Sequence, residues 1–134
     1  MSVEIHIIDG PIGHGTTAGA TASSGPAEHG AELTFDGVVR AMENGRRIAA
    51  LLYDVYEPMA SRELRSLAED VVRTHTLLEL RCLHSRGEVP VGQCSMRVTI
   101  RSTHRAEALA AMGEFIARLK RDVPIWKRPV WAND

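Results

Sequence analysis

The sequence has few of the residues and patterns that mark several common protein classes. Its two cysteines, Cys82 and Cys94, lie in neither a CxxC nor a His-rich zinc pattern, so a reduced, cytoplasmic setting is expected. No apolar run reaches the roughly 18 residues of a membrane helix, and no secretory signal is predicted at the N-terminus. P-loop, nucleophile-elbow, zinc and paired-carboxylate patterns are all missing, so no metal or cofactor is expected.

Lysine is also scarce. Of 16 cationic side chains only Lys120 and Lys127 are lysines, and both lie in a basic stretch from Arg97 to Arg128. The net charge is −1, and one basic end on a nearly neutral chain suits a small anion or an acidic partner. Lysine, unlike arginine, can lose its proton when desolvated and act as a nucleophile or base. The alternative is a genome that favours arginine codons.

Hydrophobic periodicity predicts one α+β domain over residues 1–134, with a mostly antiparallel sheet covered by two main helices. Ser61 is predicted to cap the first helix, and Ser102 or Thr103 the second. Gly37 is predicted at a β-bulge, and Glu43-Asn44-Gly45 at a tight turn. The predicted strands are 3–8, 31–40, 48–56, 78–83 and 95–101; residues 9–30 are predicted as a Gly/Ala/Ser/Thr-rich loop, 84–92 as a turn-rich connection and 129–134 as a short tail.

Two candidate groups lie at opposite ends of the last helix. His104 and Arg105 occupy its first turn, where backbone N–H groups and the helix dipole favour anions. Lys120 follows sixteen residues later, roughly 24 Å away at about 1.5 Å per residue. One small molecule cannot touch both ends, so either the groups are unrelated or two copies of the chain build the site, as in a C2 dimer. The alternative for His104 and Arg105 is an exposed pair on a solvated helix end.

The segment Pro124-Ile125-Trp126 should leave the helix in an extended form and return Lys127 to Lys120. Two neighbouring ammonium groups disfavour each other's charge, which would leave an amine suited to attack on an acyl carbon. The alternative is two surface lysines on a frayed end. Arg40, at a strand end, could orient a phosphate, or be a surface arginine of an edge strand. His75 and His84 have no partner at metal-ligand spacing and are interpreted as structural.

Four blocks of the sequence resemble the large-subunit family of molybdopterin synthase. The match runs in register from about Gly30 to Arg128, roughly three-quarters of the chain. The blocks are Gly30-Ala31 through Phe35-x-Gly37-x-Val39-Arg40, then Leu52-Tyr53-Asp54-x-Tyr56-x-x-Met59-Ala60, Ser102-x-His104-Arg105 and Lys120-x-x-x-Pro124-Ile125-Trp126-Lys127-Arg128.

The resemblance implies an α/β hammerhead fold and a central homodimer within a heterotetramer. A small ubiquitin-like subunit would dock at each end and insert its C-terminal Gly-Gly thiocarboxylate as the sulfur donor. The implied substrate is cyclic pyranopterin monophosphate and the implied product is molybdopterin. By position, the resemblance makes Lys120 the main catalytic lysine, assisted by Lys127. It assigns substrate binding to Val38, Val39, Arg40, His104, Arg105 and Arg128. Phe35, Ile116 and Trp126 are expected to form the pocket wall, and the alternative for Phe35 is a core position.

The sequence departs from this family at several places. The family's HRxG block reads His84-Ser85-Arg86-Gly87, its WKxE block reads Trp126-Lys127-Arg128-Pro129, and residues 9–30 replace a usually helical stretch. The family usually continues beyond the position of Asp134 with a tail that completes the neighbour's site. A second hypothesis is therefore a non-catalytic paralogue that binds a ubiquitin-like partner without turnover. A third is a general anion-binding α+β domain.

Overall fold

The computed structural model describes residues 1–13 and 28–133; most of the predicted 9–30 loop, including His14 and Gly15, lies outside the described residues. Seven strands form one sheet in the order β2-β6-β5-β4-β3, with β1 paired to β5 and β7 to β4. Every pair is antiparallel except β1–β5, which confirms the predicted α+β class with a mostly antiparallel sheet. The elements are β1 (Ser2–Asp9), β2 (Ala31–Val38), β3 (Met42–Glu43), β4 (Arg46–Val55), α1 (Met59–His75), β5 (Glu79–Pro90), β6 (Cys94–Ser102), α2 (Arg105–Asp122) and β7 (Ile125–Trp131).

Strand β5 joins the two halves of the sheet. Its first half pairs with β1 and β6, and its second half pairs with β4 from Gly87 to Pro90. The prediction of a turn-rich connection over 84–92 is therefore wrong for residues 84–90. Gly87 has φ +89°, a conformation that glycine adopts at little cost, so the strand changes partner there without ending.

Both helices pack on the half of the sheet formed by β1, β2, β5 and β6. The apolar periodicity that predicts the first helix, at Leu64, Leu67, Ala68, Val71 and Val72, is confirmed, since all five side chains are buried. Phe115 of α2 is also fully buried in the same core, and burying such a side chain contributes about 1.5–3 kcal/mol. Across the described ranges, neither helix is long and apolar enough to cross a membrane.

The helix starts differ from the predicted ones. Helix α1 begins at Met59, and Ser61 lies inside its first turn, where its N–H donates to Glu57 Oε1 at 2.7 Å. Helix α2 has His104 itself as its N-cap, because the Glu107 carboxylate accepts the His104 N–H in a capping box. Local preference favours serine and threonine caps. In the structure, the Glu57 carboxylate, four residues before Ser61, and the His104 cap take their place.

The second half of the sheet carries a smaller core of Val39, Ile48, Leu51 and Val89. The turn predicted at Glu43-Asn44-Gly45 is confirmed: Asn44 (φ +50°) and Gly45 (φ +77°) join β3 to β4. Two positive φ angles in succession are the requirement of a type I′ hairpin turn, and an Asn-Gly pair meets it.

Two predicted irregular segments contain ordered pairing. Residues 129–131 of the predicted tail belong to β7, which pairs with β4 along its whole length, and Pro129 is accommodated because β7 is an edge strand. Trp131 is covered by the Arg46 guanidinium at 4.2 Å from its ring centroid. In the predicted 9–30 loop, Asp9 ends β1, and Ile12 is buried against Leu83 while bridging to Cys94.

Candidate functional site

A cleft of about 720 Å³ opens where the second half of the sheet meets the C-terminal end of α2. Six strands and the last turn of α2 contribute to it, so it is formed at the meeting point of distant parts of the chain. The lining residues are Phe35, Asp36, Gly37, Val38, Arg40, Glu43, Leu51, Tyr53, His84, Ser95, Met96, Leu119, Lys120, Ile125, Trp126 and Lys127.

Three cations, Arg40, Lys120 and Lys127, line this cleft and form what we call the cationic rim. Helix α2 ends at Asp122, and the chain then reverses into β7, whose Ile125 pairs with Val55. This reversal brings Lys127 to the same cleft as Lys120, as the extended Pro124-Ile125-Trp126 segment predicted. Both lysines of the chain therefore face one small volume together with an arginine.

Lys127 forms an ion pair with Glu43, for which no sequence motif predicts a chemical role. Its Nζ lies 3.6 Å from Oε1 of Glu43, which sits on the β3–β4 hairpin and also lines the cleft. Glu43 is mostly covered, with 20% of its side chain exposed. The ion pair links the returning strand β7 to the hairpin beside the cleft.

The end of β2 holds Arg40 at the rim. A register shift between Gly37 and Val38 confirms the predicted bulge. Beyond it, the Val39 N–H donates to the Gln93 carbonyl at 3.0 Å, and the Val39 carbonyl accepts from the Gly92 N–H at 2.8 Å. The Val39 side chain is buried in the smaller core, so it lies off the cleft, whereas Val38 and Arg40 line it.

Aromatic side chains form part of the wall, as predicted. Phe35 and Trp126 both line the cleft and remain 36% and 59% exposed, which leaves apolar surface available to a ligand. Ile116 instead packs against the main core, and Leu119 is the apolar residue of α2 that lines the cleft. Arg128 lies outside the lining, where its Nε donates to Asp54 Oδ2 at 3.1 Å.

The other predicted anion-binding pair is remote from the cleft within one chain. His104 and Arg105 lie at the start of α2, and the His104 side chain is 77% exposed. Lys120 belongs to the last turn of the same helix. One chain thus keeps the two groups apart, the arrangement expected if two copies complete each site.

Three uncharged polar residues lie beneath the rim, and we call Tyr53, His84 and Ser95 the polar floor. The Tyr53 hydroxyl donates to Ser95 Oγ at 3.0 Å, and Ser95 Oγ donates to the Gly37 carbonyl at 3.4 Å. The His84 ring meets the Tyr53 ring edge to face, with centroids 5.4 Å apart. Burial raises the pKa of Tyr53 and lowers the pKa of His84, so both are neutral near pH 7.

Sequence reasoning missed the polar floor. It interpreted His84 as structural, and it gave Tyr53 and Ser95 no chemical role. The three residues meet because β5 continues through His84 and pairs on one side with β6 and further along with β4. Such pairing leaves no local pattern in the sequence; the placement of Tyr53 in one of the family-like blocks was the available signal.

Comparison with known proteins agrees with this architecture. The family model described as MoaE protein matches residues 11–122. The molybdopterin synthase catalytic subunit of Arabidopsis thaliana is 39% identical over 104 residues, covering 78% of this chain and 52% of that protein. The chain thus spans about half the length of that relative.

Two solved structures share the fold. The X-ray structure of molybdopterin synthase from Staphylococcus aureus superimposes with a TM-score of 0.82 at 26% identity, covering 96% of this chain and 91% of that one. A complex of subunits 1 and 2 of molybdopterin-converting factor from Helicobacter pylori contains a similar chain, with a TM-score of 0.70 at 22% identity, covering 97% and 90%. With the family match extending over most of its length, this chain belongs to the MoaE protein family.

Proposed function

We propose that this chain is the catalytic subunit of a molybdopterin synthase. It would transfer sulfur from the thiocarboxylated C-terminus of a small ubiquitin-like subunit to cyclic pyranopterin monophosphate. The observation that carries the proposal is the convergence of Lys120, Lys127 and Arg40 on one cleft. Membership in the MoaE family and the relatives' name support the same function. A cytoplasmic location is part of the proposal, and it suits Cys82 and Cys94, two buried free thiols.

The charge of the rim matches both proposed reactants. A thiocarboxylate and a phosphate are anions, and three cations around a partly enclosed volume attract them strongly because water is displaced there. In this scheme Lys120 meets the thiocarboxylate end, as a base or by stabilising the negative charge that develops during transfer. A dithiolene contains two sulfur atoms, so two donor tails are consumed for each product molecule.

The proposal includes a second copy of the chain. His104 and Arg105 lie at the start of α2, and Lys120 lies in its last turn. In this scheme His104 and Arg105 therefore serve the cleft of a twin chain rather than their own. A C2 dimer would create two equivalent sites of this kind. The exposed His104 side chain and the free N–H groups of the first helical turn are the cradle proposed for the substrate phosphate.

Reconstitution tests the proposal directly. The purified chain is mixed with a small subunit ending in a Gly-Gly thiocarboxylate and with cyclic pyranopterin monophosphate, and dithiolene product is measured by mass spectrometry. We expect product, with two donor tails consumed per molecule. Lys120→Ala should lower the rate at least roughly 100-fold, the usual worth of a positioned acid–base group. Arg121→Ala is the matched control, since Arg121 is an exposed neighbour outside the cleft lining.

Two other outcomes would replace the proposal. If the small subunit binds but no product forms, the chain is a non-catalytic paralogue that retains partner binding. If neither the small subunit nor the pterin binds, a general anion-binding domain is the better description. Product that survives Lys120→Ala would remove Lys120 from the catalytic role while leaving the function in place.

A further inference from the structure

In the polar floor of Tyr53, His84 and Ser95, each side-chain hydrogen-bond donor already has an acceptor within the protein. The Tyr53 hydroxyl hydrogen goes to Ser95, and the Ser95 hydrogen goes to the Gly37 carbonyl. His84 Nδ1 lies 2.8 Å from the Ser85 carbonyl, which can only accept, so Nδ1 carries the proton. A neutral imidazole protonated at Nδ1 has a lone pair on Nε2. What the floor can offer to the cleft is therefore lone pairs, on Tyr53 Oη and on His84 Nε2.

From this geometry we propose that the floor is a recognition site for the donor edge of an uncharged ring, with His84 Nε2 as its principal hydrogen-bond acceptor. The cleft then has two chemically distinct ends, a cationic rim for an anion and a floor of acceptors for N–H or amino groups. A ligand carrying both features has one orientation in the cleft. The inference deepens the proposed function and rests on it.

The ligand class named above fits this two-ended chemistry. The pyrimidine portion of a pterin carries an exocyclic amino group and ring N–H, whereas its phosphate is the anionic end. Placing the phosphate between the rim and the cradle proposed for the twin chain, with the amino edge at the floor, satisfies both. Reversing the molecule would leave the acceptors of the floor without donors and set a phosphate against lone pairs, both of which weaken binding.

The surroundings of His84 keep its ring neutral. It is 5% exposed, and its ring meets the Tyr53 ring of β4 edge to face. The charged groups that line the same cleft are Glu43 on β3, Lys120 and Lys127, besides Arg40 and Asp36 at the end of β2. Burial is the principal cause that lowers the pKa of His84, so the acceptor lone pair is present at neutral pH.

A matched pair of variants separates recognition from structure. In His84→Asn the side-chain amide can still donate to the Ser85 carbonyl, as Nδ1 does, but nothing reaches the Nε2 position. In His84→Gln the longer amide can place an oxygen near the Nε2 position and loses the Nδ1 bond. The readout is the Kd for cyclic pyranopterin monophosphate by calorimetry, with inorganic phosphate as the ligand that reports on the rim alone.

We expect His84→Asn to raise the Kd for the pterin roughly 10-fold or more, and His84→Gln to stay within about threefold of the wild type. Phosphate binding should change in neither. A purely structural histidine predicts the reverse order of the two variants. Should either fold poorly, Tyr53→Phe keeps the ring contact, removes the other acceptor and is expected to weaken pterin binding several-fold.

The two proposals fail in different ways. If the wild-type chain turns over the pterin while His84→Asn and Tyr53→Phe bind it as tightly as the wild type does, the floor has no recognition role and the proposed function stands. If the wild-type chain neither binds the pterin nor yields product, the proposed function is wrong and the inference built on it falls as well.

Discussion

The two ends of helix α2 differ in what surrounds them. At the C-terminal end Lys120 lines a cleft built by six strands, with Arg40 and Lys127 around the same volume. At the N-terminal end His104 is 77% exposed, and its contacts are with its own turn, through Glu107 and Ser102. One chain thus has a formed pocket at the C-terminal end of the helix, whereas the N-terminal turn, proposed above as an anion cradle, is exposed. A helix of this length can contribute residues to two sites, but its two ends cannot both contribute to one site within the same chain.

The largest expected effect concerns Lys120, at the C-terminal end of α2. We expect Lys120→Arg to be nearly as damaging as Lys120→Ala, at least roughly 100-fold in rate, because arginine stays protonated and cannot act as a base. Single-turnover rates with the thiocarboxylated small subunit measure this, and unchanged thermal melting would show that both variants fold. An arginine variant that keeps most of its activity would mean that positive charge alone suffices at this position.

The role proposed for His104, at the N-terminal end of α2, is tested by mixing two inactive variants. His104→Asn keeps a good N-cap but removes the imidazole, so the helix should fold while the cradle is damaged. Co-refolded with Lys120→Ala, half of the dimers are mixed, and each mixed dimer has one intact site of two. About a quarter of wild-type activity should therefore return. A mixture as inactive as its components would show that one site does not draw on both chains.

The same contrast explains what the sequence could and could not predict. The bulge at Gly37, the Asn44-Gly45 turn and the apolar stripe of α1 follow from local rules, and the structure confirms them. Residues 84–90 and 129–131 form strands because they pair with partners far along the chain. Local residues such as Gly87 and Pro129 instead favour a turn or an irregular tail.

The candidate site divides in the same way. The rim was predictable because cations are conspicuous in the sequence and the reversal after α2 is marked by Pro124. The floor was not, because its chemistry depends on which donor bonds to which acceptor. The tautomer of His84, for example, is set by the Ser85 carbonyl, and its neutral state is favoured by burial; a residue pattern reveals neither.

A smaller effect is expected for Arg105, which follows His104 at the N-terminal end of α2. Arg105→Ala should raise KM for the pterin about 10-fold and leave kcat within a few-fold, because a charge-assisted bond to a phosphate serves substrate and transition state alike. Steady-state kinetics separate the two parameters, and Arg105→Lys, which keeps the charge without the planar fork, should lie between the variant and the wild type. A fall in kcat with unchanged KM would instead place Arg105 at the reacting atoms.

The smallest effect is expected for Arg118, which lies between the two ends of α2. Arg118 donates to Asp70 of α1 at 2.8 Å and to Glu114 at 3.0 Å, and Glu114 also bonds His75 at 3.0 Å. The Arg118 bond lowers the pKa of Asp70; the His75 bond, then that from Arg118, lowers the pKa of Glu114.

A carboxyl whose pKa is lowered by folding stabilises the protein above its unfolded pKa, and this contribution disappears as the pH falls through the lower, folded value. Arg118→Ala should therefore reduce the melting temperature at pH 7 by less than about 4 °C, since exposed ion pairs are weak, and by still less at pH 3. Scanning calorimetry at both pH values measures this, with Arg65→Ala, which removes an exposed cation of α1, as the control. Turnover should be unchanged, because the network lies outside the cleft lining. An equal loss at both pH values would mean that Arg118 stabilises the helix pair by packing its stem rather than by its charge.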